Sequence, residues 1–338
     1  MTEPMPKGLV RVDPAEVGLT RRRRGRGWSF FDVSGAPVTD AEVIARIKAL
    51  VIPPAWQDVW ISPDAQGHIQ AVGTDVAGRR QYRYHDDWRT ARDRDKHDRV
   101  LTLGRRLVKV RTEIVSRLAE AGLGRDRVLA GGVRMLDLGV FRAGGEEYAP
   151  GDEDEDGTFG LATLRREHVT LKRGAVLFAY PAKGGVPRAV ALKDPLLHKM
   201  VNSLLRRRDW HDVRAEDLNA AVKELAGDEY TCKDLRTWNA TVLAAVTLAA
   251  GTAEGGVPRS ERTRKRVANQ AVKQVSEHLG NTPAVARSSY IDPRVLEQFG
   301  VGRTVRPALR KLSGPMPDLT DDTTRAHVER AVVRLIAS

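Results

Sequence analysis

Five side chains of this sequence could together do chemistry at a phosphodiester: Tyr290, Arg142, Lys183, Arg236 and Asn281. Attack on a phosphate needs an in-line nucleophile, a proton for the leaving oxygen, and fixed donors for the charge on the non-bridging oxygens. A tyrosine phenol can be the nucleophile. Arginine suits the last task, because its planar fork stays charged and meets phosphate through two parallel hydrogen bonds. Lysine suits the second, because its pKa can fall beside other cations. Two guanidiniums, one ammonium and a phenol are what such an attack requires without a metal. Tyrosine is also scarce, six in 338 residues, so one placed after a turn, a proline and a run of small residues stands out.

Each of the five is ordinary by itself. Tyr290 comes near the end of a short helix started by Thr282 and Pro283, where it could equally be a half-buried aromatic. Thr231-Cys232-Lys233-Asp234 reads as a capping box with Thr231 as N-cap. Arg236 then falls in the first turn or two of the helix, where the dipole and free amides favour anions; an isolated arginine there is usually a surface residue. Lys183 falls in the turn Ala182-Lys183-Gly184-Gly185 between two predicted strands, a common place for an exposed charge. Arg142 precedes Ala143-Gly144-Gly145, which leaves room for close approach of a backbone, and Glu146 or Glu147 could instead pair with it. Asn281 follows the helix-ending Gly280, where asparagine often caps backbone groups. The order and spacing of all five favour a shared task.

The elements that must position them are legible in the hydrophobic pattern. Residues 1–25 read as an irregular basic arm ending in Arg21-Arg22-Arg23-Arg24-Gly25-Arg26. Strand signals dominate 28–84, interrupted by one helix over 40–50 that stops before Pro53-Pro54, so residues 1–90 form a small β-rich domain. Residues 88–99 carry mixed charge without an apolar face and read as a hinge or bridging helix. From Val100 to Leu118 apolar residues recur at three and four, one face of an amphipathic helix closed by Gly122. A second helix over 126–139 leads to Arg142, and the acidic loop 151–157 is expected to be exposed. Three short strands follow over 168–171, 175–180 and 187–192, and beyond Asp194 the pattern is nearly all helical. The class is α+β: residues 91–338 form a larger, mainly helical catalytic domain carrying a small antiparallel sheet.

Composition narrows the partner. The net charge of +12, from 56 Lys and Arg against 44 Asp and Glu, with 41% hydrophobic residues, describes a folded protein with a cationic face. A polyanion is the natural partner, though charge alone does not separate DNA from RNA or anionic lipid. The single cysteine, Cys232, excludes an intramolecular disulfide and a multi-cysteine zinc site. The N-terminus lacks an apolar signal core, and the apolar stretch 240–250 is too short to span a bilayer, so it reads as a core helix in a soluble, intracellular protein.

Taken in order, these stretches resemble the type IB DNA topoisomerases of the compact viral and bacterial branch. The resemblance covers about residues 28–300. It rests on Ile52-Pro53-Pro54-Ala55-Trp56-Gln57-Asp58-Val59-Trp60-Ile61-Ser62 and Gly78-Arg79-Arg80-Gln81-Tyr82-Arg83-Tyr84-His85 in the N-terminal part. In the C-terminal part it rests on Phe141-Arg142-Ala143-Gly144, Tyr180-Pro181-Ala182-Lys183-Gly184, Lys233-Asp234-Leu235-Arg236-Thr237-Trp238 and Gly280-Asn281-Thr282-Pro283.

The resemblance implies a catalytic domain like that of tyrosine recombinases and topoisomerases IB, and two domains closing on duplex DNA as a C-shaped clamp. It implies that Tyr290 forms a 3′-phosphotyrosyl bond, that Lys183 protonates the leaving 5′ oxygen, and that Arg142 and Arg236 clamp the non-bridging oxygens. It implies no cofactor, metal or ATP, supercoiled duplex DNA as substrate, and a monomer acting in the cytoplasm at the nucleoid. Several relatives carry histidine where Asn281 stands, so a neutral amide replaces an imidazolium. His278, three residues upstream, is expected to point elsewhere. Arg79, Arg80, Gln81, Tyr82, Tyr84 and Lys233 match positions that meet DNA. The strand period sends Tyr82 and Tyr84 to one face and Gln81 to the other, so a core role for the two tyrosines stays open.

Two other readings compete. A tyrosine recombinase shares the catalytic body, but usually shows His-x-x-Arg where this chain has Lys233-Asp234-Leu235-Arg236. A non-catalytic architectural DNA-binding protein would leave Arg142, Lys183, Arg236 and Tyr290 without a task.

Overall fold

The structure, a computed structural model, describes residues 5–139, 141–145, 158–182, 185–207, 213–252, 256–312 and 316–338. Lys183, the acids Glu146 and Glu147 and the acidic loop 151–157 lie outside the described residues. The chain divides into two compact units, Met1–Lys96 and His97–Ser338.

In the first unit, strands β1 (Leu19–Arg24), β2 (Gly27–Phe31), β3 (Gln57–Ile61), β4 (Ile69–Thr74) and β5 (Arg80–Tyr84) form an antiparallel sheet in the order β2-β1-β3-β4-β5. Helix α1 (Ala41–Ala49) begins at Asp40, whose carboxylate accepts the N–H groups of Glu42 and Val43. Ile47 of α1 packs with Leu19, Phe30, Val59, Ile61 and Ala71 to make this unit's core.

The arginine run departs from the expected irregular arm, because residues 19–24 are a strand paired with β2. The reason lies in what the guanidiniums touch. Arg21 stacks on Trp28 at 3.9 Å and donates to the carbonyls of Ile52, Pro53 and Trp56 at 3.2, 2.7 and 3.0 Å. Arg22 lies over Phe31 at 4.4 Å. Planar cations on aromatic faces, with apolar stems beneath, turn a basic run into a strand.

Of the two expectations for residues 88–99, a hinge or a bridging helix, the structure has the helix. It runs on without a break into the amphipathic one as a single 34-residue element, α2 (Asp86–Ala119). Nothing in 88–99 breaks a helix, and pairs one turn apart support it, Arg89 with Asp86 at 3.0 Å and Lys96 with Asp93 at 2.6 Å.

The second unit is built around α6 (Cys232–Ala250). Of its 19 residues 15 are buried, so it is a central helix covered on all sides. Around it stand α3 (Arg125–Gly139), α5 (Ala215–Ala226), α7 (Glu261–Leu279), α9 (Pro293–Gly300) and α11 (Asp322–Ala337), while α4 (Pro195–Leu205) packs on α3. The short helices α8 (Pro283–Val285) and α10 (Arg306–Leu309) complete the helical part. Strands β6 (Val169–Lys172), β7 (Ala175–Ala182) and β8 (Val186–Lys193) form an antiparallel sheet in that order. Arg173 and Gly174, at φ 40° and 78°, turn β6 into β7; two positive φ values are what a tight hairpin turn of the right twist demands. No helix among the described residues is long and apolar enough to cross a membrane.

A buried ionic cluster locks this unit. Arg111 of α2 donates to Asp137 of α3 at 2.8 and 3.1 Å and to Glu329 of α11 at 2.7 and 2.8 Å. Arg325 reaches Asp137 Oδ1 at 2.9 Å, and Arg134 reaches Asp194 at 2.9 Å and Asp322 at 2.8 Å. Burial opposes ionisation of Asp137, but the surrounding Arg111 and Arg325 outweigh it and hold its carboxyl well below the usual carboxylate range.

Candidate active site

Helix α6 positions Arg236 from its first turns. Thr231 is its N-cap, and the Asp234 carboxylate accepts both the Thr231 N–H at 2.9 Å and the Thr231 hydroxyl at 2.8 Å. Arg99 of α2 adds an ion pair to Asp234 at 2.9 Å. Arg236, only 4% exposed, donates through Nη2 to the Leu279 carbonyl. Its guanidinium carbon lies 5.3 Å from the centre of the Tyr290 ring. Burial lowers its pKa to about 10, helped by the charges of Arg142 and Arg188 and opposed by the Tyr290 phenol. It remains a cation at neutral pH.

Tyr290 closes a π turn, Ala286–Tyr290, that follows α8. Thr282 caps α8 and Pro283 occupies its first turn, as the sequence suggests. The wide turn is closed by the Ile291 N–H donating to the Ala286 carbonyl at 3.0 Å, an i→i+5 pattern that is rare and concentrates at functional sites. Helix α6 pins the backbone on the C-terminal side of the tyrosine. The Thr241 hydroxyl donates to the Tyr290 carbonyl at 3.3 Å, sharing its proton with Thr237, and accepts the Asp292 N–H at 3.1 Å. Tyr290 is half-buried against Ala240, Ala244, Val272, Val275 and Leu279.

Asn281 sits where α7 ends. Gly280 adopts the left-handed conformation, φ 62°, and the Asn281 N–H donates to the Ser276 carbonyl at 2.9 Å. The Asn281 side-chain oxygen accepts from Arg142 Nη2, which also reaches the Gly280 carbonyl at 3.4 Å. Arg142 and Asn281 are therefore one hydrogen-bonded pair. The backbone expected to approach Ala143-Gly144-Gly145 closely is the chain's own. A Cβ on Gly160 would stand 2.3 Å from the Gly144 Cα, and the Arg142 and Ala143 carbonyls accept from Leu161 and Ala162 at 2.8 Å.

Arg142, Asn281, Tyr290 and Lys233 line one cleft of about 1030 Å³. Two buried donors of that cleft, Arg142 Nη1 and Asn281 Nδ2, have no hydrogen-bond partner among the described residues. Orphaned buried donors are costly and rare, and a pair of them beside a phenol suits an anion with several acceptor oxygens.

Arg188 of β8 is the residue that sequence reasoning missed. It stands opposite Tyr180 in the β7–β8 ladder, interacts with the Tyr180 phenol, and lies close enough to Arg142 for their charges to oppose each other. The strand pattern alone gives Arg188 a place in β8 but not its contacts with Gly139 and the Gly280 turn. His278, expected to point away, is within electrostatic reach. Desolvation and the charges of Arg188 and Arg236 push its pKa down to about 4. The residue nonetheless keeps exposed surface, and its ring is uncharged at neutral pH.

The remaining positions belong to the first unit. Arg80, Tyr82 and Tyr84 share the exposed face of the edge strand β5. The two tyrosine rings stack at 6.0 Å, and Arg80 lies 5.8 Å from the Tyr82 ring. Exposure of 41% and 44% excludes a core role for the tyrosines. Gln81 and Arg79 turn instead to Asp75, at 3.0 and 3.1 Å.

Comparison with known proteins covers both units. Residues 27–75 match the family described as bacterial DNA topoisomerase IB, N-terminal domain. Residues 85–300 match the family described as eukaryotic DNA topoisomerase I, catalytic core. A DNA topoisomerase 1B of Acanthamoeba polyphaga mimivirus is 26% identical over 298 residues, 83% of this chain and 87% of that protein.

Proposed function

The chain belongs to the type IB DNA topoisomerase family, and on that premise we propose that it relaxes supercoiled duplex DNA by transient cleavage of one strand. In this reading Tyr290 attacks a backbone phosphate, forming a 3′-phosphotyrosyl bond and releasing a 5′-hydroxyl. The free end rotates, and the 5′-hydroxyl then attacks the phosphotyrosine and restores the strand. The covalent bond conserves the energy of the one broken, so ATP is not required. Arg142, Arg236 and Asn281 take up the charge that grows on the non-bridging oxygens, the work a metal does elsewhere. The Arg236 guanidinium beside the phenol also favours the charge that builds on the attacking oxygen. Lys183 as proton donor to the leaving oxygen is carried by the resemblance of Tyr180-Pro181-Ala182-Lys183-Gly184.

The observation that carries this reading is the pair of orphaned donors, Arg142 Nη1 and Asn281 Nδ2, in the cleft that holds Tyr290. A phosphodiester supplies the missing acceptors. Arg80, Tyr82 and Tyr84 on the exposed face of β5, with Lys233 at the cleft, are the proposed further DNA contacts. A recombinase-like catalytic fold, a clamp around the duplex, a monomeric state and a cytoplasmic place at the nucleoid belong to the same proposal, and the resemblance supports them.

The test is relaxation of a negatively supercoiled plasmid in EDTA without ATP, with Tyr290→Phe alongside. The expected result is relaxation by the wild type and a covalent DNA adduct that Tyr290→Phe does not form. If both proteins bind DNA and neither relaxes it, the catalytic assignment is wrong.

A further inference from the structure

We propose that Arg188 is a positioning residue for the phosphate clamp, bracing the segment that leads to Arg142 against the α7 turn that carries Asn281. The inference rests on the strand-cleavage reading above and adds to it a residue that the five-residue constellation lacks.

Three contacts define the brace. Arg188 Nη2 donates to the carbonyl of Gly139, the last residue of α3 and three residues before Arg142, at 3.3 Å. Arg188 Nη1 lies 3.3 Å from where a Cβ on Gly280 would stand, so the guanidinium rests against the left-handed turn immediately before Asn281. Tyr180, buried at 5% exposure and paired across the ladder, holds the guanidinium from the β7 side. Arg142 grips the same turn through Gly280 and Asn281. Two arginines from different elements therefore meet one αL turn, and that turn sets where the two orphaned donors stand.

The choice of residue types fits this task. A glycine at 280 provides the positive φ and leaves room for the guanidinium, since any side chain there would meet Arg188. A planar fork can reach a carbonyl with one nitrogen while the other packs on the turn, which a lysine ammonium cannot do. Among the described residues, the groups whose charges act on Arg188 are the Tyr180 phenol and the Arg142 cation, so no carboxylate there cancels its charge, which adds to the positive potential behind Arg142. A displacement of about 1 Å in a clamp of this kind can cost about 10²-fold in rate.

A double-mutant cycle separates positioning from general support. Single-turnover cleavage of a duplex substrate and its dissociation constant are measured for Arg188→Ala, Arg142→Ala and the double variant. Thermal unfolding is followed in parallel. Arg188→Ala is expected to slow cleavage by about ten- to hundredfold with DNA affinity changed by less than about threefold, and to add little to the loss already caused by Arg142→Ala. Arg188→Lys, which keeps the charge without the fork, should recover only part of the rate, and it reads the same cycle if Arg188→Ala does not fold. Wild-type rates in Arg188→Ala, or losses that multiply in full in the double variant, would overturn the proposal. Failure of the wild type to form any covalent adduct would instead overturn the strand-cleavage reading itself.

Discussion

Charge and neutrality divide Arg142 and Asn281, which line the cleft, and Arg236, which lies over the Tyr290 ring, and that division predicts unequal losses. Arg142 and Arg236 bring full charges, whereas Asn281 brings an amide whose Nδ2 is the unused donor. Removing one preorganised donor to a developing oxyanion typically costs about 10²- to 10³-fold, which is the slowing expected in single-turnover cleavage for Arg142→Ala and for Arg236→Ala. Asn281→Ala should cost about tenfold, the scale of one neutral hydrogen bond. A larger loss at Asn281 than at either arginine would mean that the amide, not the guanidiniums, meets the charge. The sequence allowed these residues to be read because each stands at a local landmark: a capping box, a glycine pair, a helix-ending glycine, a proline-started turn. Arg188 has no such landmark. Its place depends on pairing with Tyr180 and on a turn 92 positions later in the chain, the interval from 188 to 280, and tertiary placement of that kind leaves no local mark.

Elements fix the angle at which the phenol meets Arg236. Both hang on α6, Arg236 directly and Tyr290 through Thr241, whose hydroxyl holds the Tyr290 carbonyl and the Asp292 N–H just beyond it. Thr241→Val keeps the shape and removes the hydroxyl, leaving the Asp292 N–H without its acceptor. We expect a stability loss of about 1–3 kcal/mol from that buried donor and at least about a tenfold slower cleavage at unchanged DNA affinity; equal cleavage rates in the two proteins would show that the π turn holds Tyr290 unaided. A helix over 283–290 was readable from Thr282 and Pro283, but its widening into a π turn was not, because composition carries no signal for i→i+5 closure. The strand formed by residues 19–24 was hidden for a related reason: a run of arginines reads as solvated until the aromatic faces of Trp28 and Phe31 are known to lie beneath it. By contrast the apolar run 240–250 identified the central helix at once, since its composition alone demands burial on every side.

At the scale of the whole molecule, burial sorts the charges, and two pH- and salt-dependent behaviours follow. Arg111, Arg134 and Arg325 are internal and matched by Asp137, Asp194, Glu329 and Asp322. Because Asp137 has its pKa held below the unfolded value of about 3.9, its contribution to stability is present above that value and is lost as pH falls below it. The urea midpoint of unfolding should therefore fall below about pH 4. Asp137→Asn should be destabilised at neutral pH by about 3–5 kcal/mol, because it leaves buried guanidiniums uncompensated, and should show a flatter acid limb; an unchanged acid limb would place the titration elsewhere. Among the described residues five buried arginines stand against five buried carboxylates, so the excess of +12 is carried outside that buried set. If the protein surface meets the DNA backbone, binding releases counterions, and affinity should fall by about 10³- to 10⁵-fold between 50 and 200 mM salt for about six to ten phosphate contacts. The face of β5 then supplies an internal control. Arg80→Ala should reduce the slope of log affinity against log salt by about one, as loss of a phosphate contact does. Tyr82→Ala removes a stacked ring without a charge, so it should weaken binding at every salt concentration and leave the slope unchanged. Identical slopes for wild type and Arg80→Ala would remove that arginine from the interface, and a salt-insensitive wild type would mean that the cationic surface is not where the duplex is held.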